Sequence, residues 1–216
     1  MSSVKAARLG GLMIRKERWT LSLKGKLMVL GVAVLVAATG ARAVNPFLSV
    51  THSVRSDFLI VEGWIGPQVM TQVACEFKRN HYRKILLVHA STDYYKTDDE
   101  RDELVKNGVQ SKSIEMVSFP LVRKDRTYHF ALAARDWFMN NGITVTSLNV
   151  VTLGPHARRS RLMFEKAFGN SADVGIVALD DPEYDGEHWW RSSEGVREVL
   201  GEVIAYIYAR LYFVWT

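Results

Sequence analysis

Five short apolar runs, each followed by a segment with helical character, most constrain how this chain can fold. The runs lie at 58–61, 85–88, 114–118, 148–152 and 174–178. The runs at 58–61 and 85–88 contain only apolar residues, which is typical of strands buried on both faces. Helical patterns follow at 67–81, 98–107, 127–141 and 157–168, and Ser192 or Ser193 would cap a longer final helix. The alternation predicts a Rossmann-like three-layer α/β domain over residues 55–216, with a mainly parallel sheet of about five strands.

The N-terminal segment holds the positive charge of the chain. The net charge is +5, and residues 1–26 alone carry +6 because seven basic residues there face only Glu17. The rest of the chain is therefore close to neutral. A basic tail on a near-neutral domain argues against nucleic acid as a partner.

An uncharged apolar run follows at 27–41 and extends to 44 if Arg42 reaches back to the membrane surface. It predicts a transmembrane anchor at 27–44 behind a basic cytoplasmic tail at 1–26. The positive-inside rule then places the domain on the outer or periplasmic side of the inner (plasma) membrane. Two alternatives stay open, a buried helix and a signal peptide cleaved after Ala43, because residues 41–43 have the small-x-small form of a cleavage site.

The turn at 154–159 is the main candidate for a functional site, because ligands of parallel sheets bind beyond the carboxyl ends of the strands. Gly154 permits a sharp turn and Pro155 suits a first helical turn. The helix that follows directs free N–H groups at the crevice. His156, Arg158 and Arg159 add donors and positive charge. The pattern favours a phosphate or carboxylate site; alternatively, the arginines are solvated and pair with nearby acidic groups.

The stretch VTLGPHARRSR at 151–161 resembles the His-x-x-Arg signature of the YdcF/SanA/ElyC family of envelope-associated proteins. DFLIVEG at 57–63 and DRTYHFA at 125–131 resemble two further elements of that family, in the same order. The resemblance implies a Rossmann-like fold behind one transmembrane helix and a link to cell-envelope, peptidoglycan and lipid-carrier metabolism. It also implies S-adenosylmethionine as a candidate ligand or cofactor, and it aligns His156, Arg159 and Thr127 with family positions.

The chain departs from the family pattern beside these motifs, which predicts a divergent branch. Gly63-Trp64 stands for a glycine pair, His129-Phe130 for a Glu-Asn pair, and His89-Ala90-Ser91 for Ser-Gly-Gly. Glu62, Gly63 and Ser91 remain candidate ligand-binding positions. Glu62, His89 and His129 are interpreted either as substitute polar groups in the site or as structural hydrogen-bonding residues.

Two segments near the C-terminus are unusual. The acidic, aromatic loop at 180–191 is either a lid that brings Arg191 to the anion site or a loop whose tryptophans pack on the final helix. Its acidic residues lack the spacing of a metal site, so no metal ligand is assigned. The final helix has an aromatic, almost uncharged end at 206–215, which would dock on the sheet or contact the membrane interface.

Three hypotheses for function follow. The first is an enzyme that acts on a phosphorylated or lipid-linked envelope intermediate, with His156 as acid or base and Arg159 and Arg158 binding the anion. The second is a non-catalytic module for an anionic or nucleotide-like ligand, and the third is an envelope scaffold. No glycine-rich nucleotide loop, Ser-His-Asp order or HExxH motif points to a familiar enzyme class. The single cysteine, Cys75, is predicted to be buried and inert.

Overall fold

The computed structural model describes residues 7–8, 13–14, 20–91 and 94–213. Residues 1–40 form one compact unit and residues 41–216 form another. In the first unit, Ala7–Arg8 and Met13–Ile14 pair as two very short antiparallel strands. The second unit contains the sheet and the candidate site.

The first helix, α1, spans Leu23–Leu48 and is longer at both ends than the predicted 27–44. Its 26 residues extend about 39 Å at a rise of ~1.5 Å per residue. None of the residues in its apolar window is buried. The helix is therefore long and apolar enough to cross a membrane, a property that anchors and signal sequences share. From Ala41 onward α1 belongs to the second unit, where Leu48 packs with Trp189 and Val199.

Five strands form one sheet in the second unit. They are β1 (Phe58–Glu62), β2 (Lys84–Ala90), β3 (Ile114–Phe119), β4 (Ser147–Leu153) and β5 (Asp173–Leu179). Their order across the sheet is β3-β2-β1-β4-β5, and every neighbouring pair is parallel. The predicted Rossmann-like sheet is therefore confirmed, and all of it is parallel.

Helices cover both faces of the sheet. They are α2 (Met70–Arg79), α3 (Tyr94–Lys106), α4 (Arg126–Asn140), α5 (Ala157–Phe168) and α6 (Ser193–Leu211). Successive residues of a strand point to opposite faces. Leu59 and Val61 accordingly lie in one core with α2 and α3, whereas Ile60 lies in the other with α4 and α5. Helix α6 packs beside α5.

Most helix ends agree with the predicted bounds within a few residues. Gly108, Gly142 and Gly169 follow α3, α4 and α5 with positive φ, as expected of glycines that end helices. Ser192 caps α6 by accepting a hydrogen bond from the Gly195 N–H at 3.1 Å. The predicted burial of Cys75 is wrong, because Cys75 is exposed. It lies about 200° around α2 from the core residue Val73.

A buried asparagine fastens the segment before β1 to the sheet. The side chain of Asn149, in β4, donates to the Val54 carbonyl at 2.6 Å and accepts from the Val54 N–H at 2.8 Å. We expect Asn149→Ala to lower the free energy of unfolding by about 2 kcal/mol, because both backbone groups lose their partner. Urea denaturation of the full chain in detergent would measure this. The control is Asn141→Ala, which removes an exposed side chain that bonds only the Trp137 carbonyl. Equal losses in both variants would contradict the prediction.

Candidate active site at the carboxyl edge of the sheet

The predicted turn brings His156 and Arg159 to the carboxyl edge of the sheet. Strand β4 ends at Leu153, and a 3-10 turn over Gly154–His156 leads directly into α5. Gly154 has a φ of 35°, a left-handed value that glycine adopts without strain. His156 and Arg159 are three residues apart, so their side chains lie on the same face of the helical segment.

A glutamate of α6, Glu202, binds both of these side chains. Arg159 donates from Nε to Oε2 at 2.8 Å and from Nη2 to Oε1 at 2.7 Å. This bidentate pair is largely buried, with side-chain exposures of 19% for Arg159 and 11% for Glu202. His156 Nδ1 lies 2.8 Å from the same Oε1 atom. Arg159 Nη2 and His156 Nδ1 are only 2.9 Å apart, because both approach Oε1 of Glu202.

The other ring nitrogen of His156 faces a threonine of α4. Thr127 Oγ1 lies 3.4 Å from His156 Nε2 and accepts a hydrogen bond from Arg159 Nη1 at 2.7 Å. A neutral imidazole that donates from Nδ1 to Glu202 has an acceptor at Nε2. The threonine hydroxyl can therefore donate to His156 while it accepts from Arg159. Glu202, His156 and Thr127 form a continuous hydrogen-bonded path. Arg159 donates hydrogen bonds to both ends of this path, Glu202 and Thr127.

A second buried carboxylate lies on the Nε2 side of the imidazole. Glu62, the last residue of β1, is fully buried, and its Oε2 lies 3.7 Å from His156 Nε2. It accepts hydrogen bonds from Ser160 Oγ at 2.9 and 3.0 Å and from Trp64 Nε1 at 3.3 Å. The Trp64 ring contacts the imidazole of His156 edge-on, with 4.7 Å between the ring centroids. The imidazole of His156 therefore lies between two buried carboxylates, those of Glu62 and Glu202.

The ionic partners fix the charge state of this cluster. Burial would raise the pKa of Glu202, but hydrogen bonds and charge from Arg159 and His156 outweigh burial and lower this pKa to about 2. Burial likewise opposes the charge on Arg159, yet Glu202 and Glu62 hold its pKa above the ordinary value. Arg159 is thus charged but already neutralised by Glu202. Arg159 therefore pairs with an acidic group, as the alternative interpretation of the turn held, but it is largely buried and not solvated.

A cavity of about 440 Å³ opens onto this cluster. His156, Thr127, Arg159 and Glu202 line it at the edge of the sheet. Its largely apolar wall is contributed by Trp64, Phe130, Met163, Ala205, Tyr208, Ala209 and Phe213.

Two exposed arginines, Arg123 and Arg126, also line the cavity. Neither guanidinium forms an ion pair with any residue that the structure describes. The acidic residues Asp125 and Glu198 line the cavity as well, and Glu198 Oε1 lies 3.4 Å from Arg197 Nε. The charged groups at the cavity that form no ion pair with a described residue are therefore Arg123, Arg126 and Asp125, and the two arginines outweigh the single carboxylate.

Of the eight predicted site residues, four come together, three do not, and the eighth, Gly63, lies beside the cluster. His156, Arg159, Thr127 and Glu62 form the cluster. Arg158 instead donates to the Phe47 carbonyl and covers the Phe47 ring at 4.0 Å. Ser91 and Arg191 are exposed and line none of the cavity at the cluster.

Gly63 has a packing role beside the cluster. Its N–H donates to the Val88 carbonyl at 2.7 Å, and an added Cβ would lie 2.7 Å from that oxygen. The side chain of His89, which is buried, lies 3.1 Å from the same Cβ position. His129 stacks on Phe119 at 6.5 Å. Neither histidine lines the cavity, so neither takes the place of a missing polar group there.

Sequence reasoning missed Glu202, Arg123 and Arg126. Glu202 shares the buried side of α6 with Val199 and Ala209. Glu202 follows the apolar residue Val199 by three positions and precedes Ala209 by seven, so it lies on the apolar face of the helix. A charge on that face indicates a buried carboxylate that needs a partner. Arg123 lies just before the motif at 125–131 and Arg126 lies within it, and only the fold shows that this segment borders the turn.

The loop at 180–191 packs on the domain through both of its tryptophans, with Trp189 buried and Trp190 partly buried. Trp189 is buried with Leu48 and Val199, and its Nε1 donates to the Ala41 carbonyl at 2.8 Å. The interpretation in which a tryptophan packs on the final helix therefore holds for Trp189. Among the residues that the structure describes, no group of three or more His, Cys, Asp or Glu side chains is placed to hold a metal ion.

Comparison with known proteins adds no relative. No protein-family model, curated protein or solved structure matches this chain significantly. The resemblance to the YdcF/SanA/ElyC family therefore stays a prediction that rests on three short motifs, and the site is interpreted from its own geometry.

Proposed function

We propose that this chain is a membrane-attached protein that binds a phosphorylated or otherwise anionic ligand in the cavity beside His156 and Arg159. The observation that carries the proposal is the pairing of two kinds of group in one cavity. Hydrogen-bonding side chains lie at the sheet edge, and the guanidinium groups of Arg123 and Arg126 lie at the same cavity without ion-pair partners among the described residues. Arginine is well suited to phosphate and carboxylate oxygens because its donors are fixed in a plane.

The two arginines would bind the charge of the ligand. Arg126 is the first residue of α4, whose 15 residues direct their positive dipole end toward this region. Asp125 lowers the local positive charge, but it forms no ion pair with Arg123 or Arg126. The apolar wall formed by residues such as Met163, Ala205 and Phe213 would receive an uncharged part of the same ligand.

Arg159 takes a different part from the phosphate clamp predicted for it. Its Nε, Nη1 and Nη2 atoms already donate to Glu202 and Thr127. We infer that Arg159 positions His156 and Thr127, and that those two side chains contact the ligand. Because this hydrogen-bonded group is assembled before binding, the ligand would meet it at little cost in ordering.

The biological setting of the proposal comes from the N-terminal segment. With α1 as an anchor and the basic tail in the cytoplasm, the domain would lie on the outer side of the membrane. A phosphorylated intermediate of cell-envelope or lipid-carrier metabolism would be available there. A nucleotide-like ligand such as S-adenosylmethionine, or a scaffold role without a ligand, is the alternative.

Ligand titration of the full chain tests the proposal. By isothermal calorimetry in nanodiscs, butyl phosphate should bind more tightly than inorganic phosphate or butanol, because it alone uses both the arginines and the apolar wall. His156→Gln should weaken butyl phosphate binding, whereas His52→Gln, an exposed histidine before β1, should not change it. Failure of the wild-type chain to bind butyl phosphate would refute the proposal, and tighter binding of S-adenosylmethionine would replace it with the nucleotide-like alternative.

Acid–base catalysis on this ligand is a second candidate function. The specific observation is the alignment of Glu202, His156 and Thr127, which holds Nδ1 on a carboxylate and leaves Nε2 facing a hydroxyl. A general base needs this kind of orientation by a third group. If His156→Gln removed turnover of a bound phosphate ester but changed its affinity little, catalysis would be supported over simple binding.

A further inference from the structure

Helix α6 has an outward face that is apolar over its last three turns. The side chains of Leu200, Ile204, Ile207, Tyr208, Leu211 and Tyr212 are all 47–70% exposed. Their spacing of three, four or one residue places them on one stripe of the helix. Exposed apolar side chains scattered singly are ordinary, but a continuous stripe of this kind marks an interaction surface.

The charged residues of α6 lie outside this stripe. Glu194, Arg197 and Glu198 are in the first two turns, and Glu202 points inward to Arg159. Arg210 lies about 120° around the helix from Ile204, at the flank of the stripe. Over the length from Leu200 to Tyr212 the outward face therefore carries no ion, whereas an ordinary helix on the surface of a soluble domain is polar there.

We propose that this stripe of α6 lies against the lipid surface of the membrane that α1 enters. The proposal rests on the membrane attachment in the proposed function. The same chain carries an exposed apolar helix of membrane length, and a domain tethered at a membrane meets lipid at high effective concentration. Leucine and isoleucine supply the apolar contact, and Tyr208 and Tyr212 have the amphipathic rings that favour the interface.

Contact with lipid at this face would define the ligand of the cavity more closely. Tyr208 belongs both to the stripe and to the lining of the cavity, so the cavity borders the surface that would meet the lipid. The apolar wall also includes Ala205 and Ala209, which are neighbours of Tyr208 on α6. An amphiphile with an anionic head and an apolar chain could pass between lipid and cavity without exposing its chain to water.

Site-directed spin labelling of the full chain in lipid nanodiscs tests the proposal. In a Cys75→Ser background, which removes the exposed native thiol, nitroxides are attached at Ile204→Cys, Val34→Cys and Met139→Cys. Met139 is the matched control, because it is an apolar residue of α4 with 67% exposure, close to the 70% of Ile204. Collision rates with oxygen, which concentrates in lipid, and with a water-soluble nickel chelate are measured at each position.

The expected result is a ratio of oxygen to nickel collisions at position 204 that is several-fold higher than at position 139. A ratio at 204 equal to that at 139 would overturn the proposal. Protection of position 204 from both reagents would also overturn it and would indicate that a second copy of the chain covers α6. The label at position 34 reports α1 separately, so membrane attachment can fail or hold independently of the result for α6.

Discussion

Glu202→Ala is expected to lower the free energy of unfolding by about 3–5 kcal/mol, because it leaves a buried guanidinium without its counter-ion. Arg159 would lose two of its three hydrogen bonds to the cluster, and His156 would lose the partner of Nδ1. Chemical denaturation of the full chain in detergent measures the change. Glu198→Ala, one turn earlier on α6, is the matched control, since its contact with Arg197 is on the surface and should contribute less than ~1 kcal/mol.

The same carboxylate should make stability depend on acid pH. The pKa of Glu202 falls from an ordinary 4.5 to about 2 in the folded chain. A group with a depressed folded-state pKa stabilises the fold above its unfolded-state pKa and loses that effect as the pH falls through the folded-state value. This difference corresponds to roughly 3 kcal/mol, present above pH 4.5 and lost between pH 4.5 and pH 2. Glu202→Gln should therefore show a shallower loss of stability across that window.

Two results would contradict this role of Glu202. One is a loss of stability in Glu202→Ala no larger than that in Glu198→Ala, which would mean that Arg159 finds water or another partner at little cost. The other is an unchanged acid profile in Glu202→Gln, which would mean that Glu202 does not cause the loss of stability in acid.

The sequence predicted the sheet well because burial on both faces leaves a strong local pattern. The run at 58–61 could hardly form an exposed strand, and it became the central strand of the sheet. The turn at Gly154 was equally readable, since a glycine before Pro155 and a new helical pattern is typical of a strand that turns into a helix. Local chemistry therefore located His156, Arg159 and the edge of the sheet on which they lie.

The charge balance of the site could not be predicted in the same way. Glu202 is 43 residues from Arg159 in sequence, and only the packing of α6 beside α5 brings the two together. Arg158 and Arg159 look alike in sequence, yet a rotation of about 100° per residue along α5 sends one to Phe47 and the other into the cluster. Which arginine is paired, and which remains available to a ligand, depends on helix packing that no local pattern encodes.

The helical phase of α2 explains the error at Cys75. Val69, Val73 and Phe77 recur every four residues and pack in one core, and position 75 lies on the opposite side of the helix. The prediction treated a cysteine in an amphipathic helix as apolar filler without placing it on the helical wheel. The extension of α1 beyond residue 44 was missed for a different reason. It is stabilised by the packing of Leu48 with Trp189, two residues that are far apart in sequence.

Neutralising both cavity arginines should have the largest effect on ligand binding. We expect Arg123→Gln combined with Arg126→Gln to weaken butyl phosphate binding about 100-fold, taking ~1.5 kcal/mol for each charge-assisted hydrogen bond that is lost. Calorimetric titration in nanodiscs measures this loss. The control is Arg55→Gln, which removes an exposed arginine at the opposite, amino edge of the sheet. Affinity for butanol should change little in the double variant, because the apolar wall is intact.

Salt dependence separates this prediction from a general effect of charge. Exposed guanidinium groups are screened by added salt, so wild-type affinity for butyl phosphate should fall as ionic strength rises. The double variant should lose most of this dependence, whereas Arg55→Gln should keep it. If the double variant bound as tightly as wild type, the ligand charge would have to be held by His156 and Thr127 alone. Because Arg159 is already neutralised by Glu202, this result would contradict the assignment of Arg123 and Arg126 as the groups that bind the ligand charge.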